Sequence, residues 1–170
     1  KLDKEEVKSK FKPNQFIMLV SNANEKKTGL ARFMNYNLPL RKVSTYEHGL
    51  WGLRPRNKEQ TFAFDLLMDQ NVPIVTLIGK AGCGKTLLAI AAGLEQVIEK
   101  NIYKKLVVSR PVQPMGKDIG FLPGSLEEKM KPWLMPVQDN LEFLMSDKTA
   151  FNMYLEQGVI EMEALTYIRG

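Results

Sequence analysis

Hydrophobic and polar positions change their rhythm several times along this chain, and each change predicts a different element. In the first fifty residues, β-prone runs at Gln15 to Val20, Leu30 to Met34 and Leu38 to Val43 alternate with turns rich in Asn, Gly and Lys. Runs of this length between turn-formers predict a small strand-rich module. Trp51 to Arg56, which carries Gly and Pro, reads as a boundary. Asn57 then stands where a side-chain oxygen caps a helix, with Gln60 three residues later as in a capping box, so Lys58 to Met68 is the next predicted helix.

After Pro73 the apolar, β-branched run Ile74-Val75-Thr76-Leu77-Ile78 reads as a buried parallel strand. Leu87, Ala91, Leu94 and Ile98 repeat at helical spacing and give a helix from about Lys85 to Glu99 one apolar stripe. A further strand is predicted at Leu106 to Ser109. Strand, helix and strand in this order form a βαβ unit and imply a parallel sheet, so the expected fold class is α/β. Pro111 to Gly124 reads as a loop, and Ser125 with Glu128 three later opens a short helix that Pro132 is expected to interrupt. Trp133, Val137, Leu141 and Leu144 restore a helical stripe, and Gly158 separates a last helix from a β-prone stretch beginning at Val159.

Between the strand at 74–78 and the following helix lies Gly79-Lys80-Ala81-Gly82-Cys83-Gly84-Lys85-Thr86, a complete G-x-x-x-x-G-K-[ST] phosphate-binding loop in the strand-to-helix context it requires. Glycines allow backbone angles and a close approach that side chains forbid. Successive amides then point inward as an anion-binding nest at a helix N-terminus. Lys85 supplies a mobile positive charge for the β and γ phosphates, and the hydroxyl of Thr86 is the expected magnesium ligand. Residues 79 to 87, closing with Leu87, form the expected nucleotide contact, with Lys85 and Thr86 as its catalytic members. Cys83 fills a free position of the motif and reads as a small space-filler, although a thiol at a helix N-terminus is open to alkylation. Gln60 has two readings of similar weight: the capping role above, or a side chain that matches the N6 and N7 edge of adenine.

Composition narrows the class without naming the chemistry. Of the 170 residues, 44% are apolar and 25% charged, as in ordinary globular proteins. No apolar stretch reaches membrane-spanning length, and no secretory leader appears. With a lone cysteine, no intramolecular disulfide forms; a cytoplasmic address is expected. The net charge of +5 suits anionic partners, although Lys1, Lys4, Lys8, Lys10 and Lys12 also read as a solvated terminus.

Trp51-Gly52-Leu53-Arg54-Pro55-Arg56-Asn57, the phosphate loop, Val108-Ser109-Arg110-Pro111, Gly116 to Gly124, Leu126 to Lys129 and Tyr167-Ile168-Arg169-Gly170 together resemble PhoH-family ATPases over about residues 51 to 170. The nearest variant is the one in which a PIN ribonuclease domain precedes the ATPase, with residues 1–50 as a bridging segment. The resemblance implies a P-loop core related to helicase superfamily one, ATP and magnesium as ligands, hexameric assembly, and ATP hydrolysis coupled to RNA remodelling. It also favours the adenine reading of Gln60 and places Arg110 where such enzymes touch nucleic acid or phosphate; a local ion pair is the other reading of Arg110. Arg169 matches a family arginine, with a structural ion pair equally open. The family's magnesium-holding acid falls just beyond Arg169-Gly170, and Glu161 and Glu163 read as a solvent-facing strand edge rather than as substitutes. The chain is therefore expected to be a truncated core, lacking an upstream nuclease and the downstream acidic strand. Two further functions suit a P-loop: a nucleotide-dependent regulatory switch without motor activity, and a small-molecule kinase.

Overall fold

The computed structural model describes residues 11–110 and 126–164, with side chains over 11–109 and 135–163. Three strands open the chain: β1 (Gln15–Ser21), β2 (Asn24–Phe33) and β3 (Arg41–Lys42), an antiparallel sheet in that order. The β1–β2 ladder pairs Gln15 with Phe33 and runs to Val20 with Thr28. The strand β2 starts six residues before the apolar run that predicts it, because Asn24 to Gly29 pairs with β1 while exposed to solvent and so carries no hydrophobic signal. The strand β3 is shorter than its predicted range; Pro39 has no N–H to contribute to a ladder.

The first helix, α1 (Lys58–Leu67), begins as its cap predicts. Asn57 Oδ1 accepts the Gln60 N–H at 2.9 Å. The second, α2 (Lys85–Leu94), continues as a π-helical segment, Glu95–Glu99, in place of the uniform α-helix expected through Glu99. Its wider hydrogen-bond step is seen in Lys100 N–H donating to Glu95 C=O at 2.9 Å. The strand β4 (Leu106–Arg110) lies parallel to β5 (Ile160–Ala164), pairing Leu106 with Ile160 and Arg110 with Ala164. Between them come α3 (Leu126–Met145) and α4 (Lys148–Glu156), with Asp147 capping α4 and Gly158 turning the chain at φ 67°.

The architecture is mixed α/β with a parallel sheet, as expected, but two expectations are corrected. Residues 74–78 form no ladder among the described residues, and the parallel pairing belongs to β4 and β5 instead. Ile74 is 82% and Ile78 90% exposed, so the run is not the buried strand its composition predicts. Its exposure still alternates residue by residue, with Val75 and Leu77 turned inward, which is the two-residue period of an extended chain lacking a neighbour. Pro132, in turn, does not break α3, which runs through it for 20 residues. One proline removes one backbone donor, whereas Val137, Leu141 and Leu144 of this helix are all buried in the core, and packing outweighs the lost bond. The Pro111–Gly124 loop and the Ser125 cap lie outside the described residues.

Leu88, Ile90, Ala91 and Leu94 of α2 meet Phe64 of α1, Val137 and Leu141 of α3, Phe151 of α4 and Ile160 of β5 in one apolar core. Small residues let α2 approach the sheet closely: a Cβ at Gly93 would sit 2.7 Å from Leu106 Cδ1. The N-terminal sheet joins this body by other means. Arg32, fully buried on β2, donates to Asp65 Oδ2 at 2.9 Å and to Asp69 Oδ2, and half-exposed Arg41 reaches the same two carboxylates at 2.9 and 3.0 Å. Burial would raise the Asp69 carboxyl, but hydrogen bonds from Arg32 and Asn71 outweigh it and hold the group below its ordinary value. Phe16 of β1 stacks on Phe62 of α1 with ring centroids 4.1 Å apart and planes at 10°.

Candidate functional site

The phosphate loop folds as its sequence demands. Gly82 and Gly84 take left-handed angles, φ 77° and 87°, that L side chains rarely adopt. A Cβ at Gly79 would lie 2.9 Å from Cys83 Sγ, so only glycine leaves the loop its present closure. Gly84 is the N-cap of α2 and offers no side chain to the first-turn amides of the helix. Those donors face outward at the positive end of the helix dipole, where an anion is favoured.

Lys85 bends back over the loop: its Nζ donates to Gly79 C=O at 2.9 Å and to Lys80 C=O at 2.8 Å, with Cys83 Sγ at 3.6 Å. The ammonium is thus held over the mouth of the cradle by weak carbonyl partners that an anionic oxygen can replace. Thr86 is exposed in the first turn, and Lys80, Ala81 and Cys83 are exposed along the loop; Leu87 turns partly inward and packs against the core. No cluster of three or more His, Cys, Asp or Glu side chains able to hold a metal occurs among the described residues. The hydroxyl of Thr86 fits magnesium chemistry, as a neutral oxygen beside a phosphate cradle.

Gln60 links the loop to α1. Its Oε1 accepts the Arg56 N–H at 2.7 Å, and its Nε2 donates to Cys83 C=O at 3.3 Å. Both readings of this residue thus meet in the geometry: it completes the α1 cap and lies against the P-loop, 3.4 Å from where a Cβ on Gly84 would be. Arg110 ends β4, paired through its backbone with Ala164, and its side chain lies outside the described residues. Arg169 lies outside them altogether. Ser109, one residue earlier on β4, has a buried hydroxyl without a hydrogen-bond partner. The sequence gave no warning of one neighbour of the loop, the aromatic pair Phe16 and Phe62. Forty-six positions separate these two in the chain, and no local spacing connects them.

A glycine loop of this form opening a helix, beside a parallel sheet covered by helices, defines the class: a P-loop α/β domain. Residues 52–170 match the family model described as PhoH-like protein. The chain is 48% identical over 163 residues to the protein PhoH2 of Bacillus subtilis, covering 94% of this chain and 37% of that relative. It is 49% identical over 122 residues to PhoH2 of Mycolicibacterium smegmatis, covering 71% and 28%, and 35% identical over 153 residues to a PhoH-like protein of Mycobacterium leprae, covering 90% and 40%. The chain therefore spans at most 40% of the length of these relatives. No solved structure matches it. The chain belongs to the PhoH-like family, broadly a family of P-loop ATPases.

Proposed function

We propose that this chain binds ATP with magnesium at Gly79 to Leu87 and that the complete protein hydrolyses it to remodel RNA, alongside a PIN ribonuclease domain and as a hexamer in the cytoplasm. The observation that carries the reading is the loop geometry: left-handed Gly82 and Gly84 ahead of α2, with the Lys85 ammonium resting on two carbonyls. Phosphate oxygens replace those carbonyls as partners of Lys85, whose charge then offsets the negative charge that develops on the transferred phosphoryl group. First-turn amides of α2 hold the same oxygens, and the Thr86 hydroxyl is the chain's ligand for magnesium. Magnesium bound there supplies charge neutralisation across the β and γ phosphates. Gln60, at the loop and within reach of a base, gives a preference for adenine once its amide leaves Arg56 and Cys83. Arg110 and Arg169 are proposed contacts for RNA or phosphate.

Calorimetric titration of the intact protein with ATP and GTP plus magnesium, beside Lys85→Ala, tests this directly. Micromolar ATP binding that Lys85→Ala abolishes is the expected result. Undiminished binding and turnover in Lys85→Ala and Thr86→Ala would overturn the assignment. Turnover that saturating RNA leaves unchanged would favour a nucleotide switch over an RNA motor.

A further inference from the structure

Beside the phosphate loop lies a cavity of about 340 Å³, within the size range of small-ligand sites. Cys83 and Lys85 line it from the loop, Gln60 and Phe62 from α1, Thr76 from the exposed extended run, and Phe16 from the N-terminal hairpin. The cavity and the phosphate cradle share residues, so a molecule with its phosphates on the loop has this space as the nearest continuation. Phe16 and Phe62 stack almost in parallel, 4.1 Å between centroids, and each ring is only half-buried. That leaves aromatic surface facing a largely apolar space next to an anion site. Polar readout is restricted here: the Gln60 amide, placed best for it, already bonds Arg56 N–H and Cys83 C=O.

We propose that Phe16 is part of the nucleotide site, the aromatic wall on which the base of a nucleoside triphosphate packs, so that the β1–β2 hairpin supplies a binding residue to the P-loop domain. The proposal rests on the P-loop reading and adds to it. Phe16 lies outside the stretch 52–170 that matches the family model. Its ring is held in place from both sides, by the stack on Phe62 and by the Arg32 and Arg41 contacts that fix β2 and β3 against α1. Stacking uses the π-face that every base has, so Phe16 strengthens binding without choosing between adenine and guanine. Any choice between the two falls to Gln60.

The test compares ATP, GTP and inorganic tripolyphosphate binding to the intact protein in four forms: wild type, Phe16→Ala, Phe16→Trp and Lys85→Ala. Phe16→Ala is expected to weaken ATP and GTP alike, by roughly tenfold, the usual scale of one lost base stack, and to leave tripolyphosphate affinity unchanged. Phe16→Trp is expected to keep ATP affinity and to show indole emission quenched by ATP but not by tripolyphosphate. A folded Phe16→Ala variant that binds ATP like wild type would overturn the proposal, as would equal losses for ATP and tripolyphosphate. Should Phe16→Ala fail to fold, unchanged Phe16→Trp emission at saturating ATP would overturn it. A wild type that binds neither ATP nor tripolyphosphate, or a Lys85→Ala variant that binds both undiminished, would remove the P-loop reading and this proposal together.

Discussion

The two flanks of the phosphate loop have similar hydrophobicity and opposite fates. Downstream, α2 is buried over a wide arc, with Ala91 and Leu94 fully inaccessible. Upstream, Ile74 and Ile78 stand almost free in solvent. A helix satisfies its backbone within itself and needs only a surface to pack on, whereas an extended run needs a neighbouring strand to become part of a sheet. The upstream flank is instead held through α1, whose Asp65, with nearby Asp69, is clamped by Arg32 and Arg41 of the hairpin. One side of the loop rests on apolar packing and the other on a polar clamp.

Breaking the clamp should have the largest effect. Arg32→Ala leaves two buried carboxylates with one half-exposed partner, and a loss of about 3–5 kcal/mol in unfolding free energy is expected from denaturant titration. Leu94→Ala, on the packed side, should cost about 2–5 kcal/mol by the same measurement. Lys85→Ala should leave stability nearly unchanged and weaken ATP binding by roughly ten- to a hundredfold, the scale of a lost charged hydrogen bond, as read by calorimetry. Thiol chemistry offers a related check: alkylation of exposed Cys83 should block ATP binding, and bound ATP should protect the thiol, as read by mass spectrometry.

Titration separates the two flanks further. Asp69 is held below its ordinary value of 3.8 in the folded state, so its contribution is present above that pH and is lost as pH falls below it. Burial, then the charge of Asp65, pushes the Tyr46 phenol up to about 12 from 10.0, so its contribution is present below pH 10 and fades as pH rises toward 12. Melting curves should show Tyr46→Phe losing that alkaline decline, while wild type and Leu94→Ala share it. The smallest effect is expected at Ile78→Thr, within about 0.5 kcal/mol, because the side chain is already in water. A loss of several kcal/mol there would show that the run is covered in the intact protein.

Elements whose signal is local were legible in the sequence: the Asn57 cap, the glycines of the loop, the α2 stripe and the turn at Gly158 all sit where spacing put them. Pairing partners were not. Whether Ile74 to Ile78 lies in a sheet depends on which strand lies beside it, and a β-branched run carries no record of that. Asn24 to Gly29 shows the converse, a paired strand without a hydrophobic period. Arg32 reads as an ordinary surface cation until β2 and α1 are brought together, and Phe16 as ordinary hairpin packing until the cavity beside Lys85 is seen.

The π-helical segment that ends α2 carries one residue more than an α-helical path between the same points would need. Its Gln96 is tethered by the side chain to Leu67 C=O at 3.2 Å and Ala92 C=O at 3.0 Å, and the backbone carbonyl of Gln96 accepts the Ile102 N–H at 2.7 Å. A shortening by one residue within Glu95–Glu99 would let the helix run on as α but would turn everything after it by about 100°. Chain length is therefore quantised between the phosphate loop and β4: a lineage that drops that residue must also re-aim the strand that ends in Arg110, whereas substitutions at exposed Glu99 leave its direction untouched.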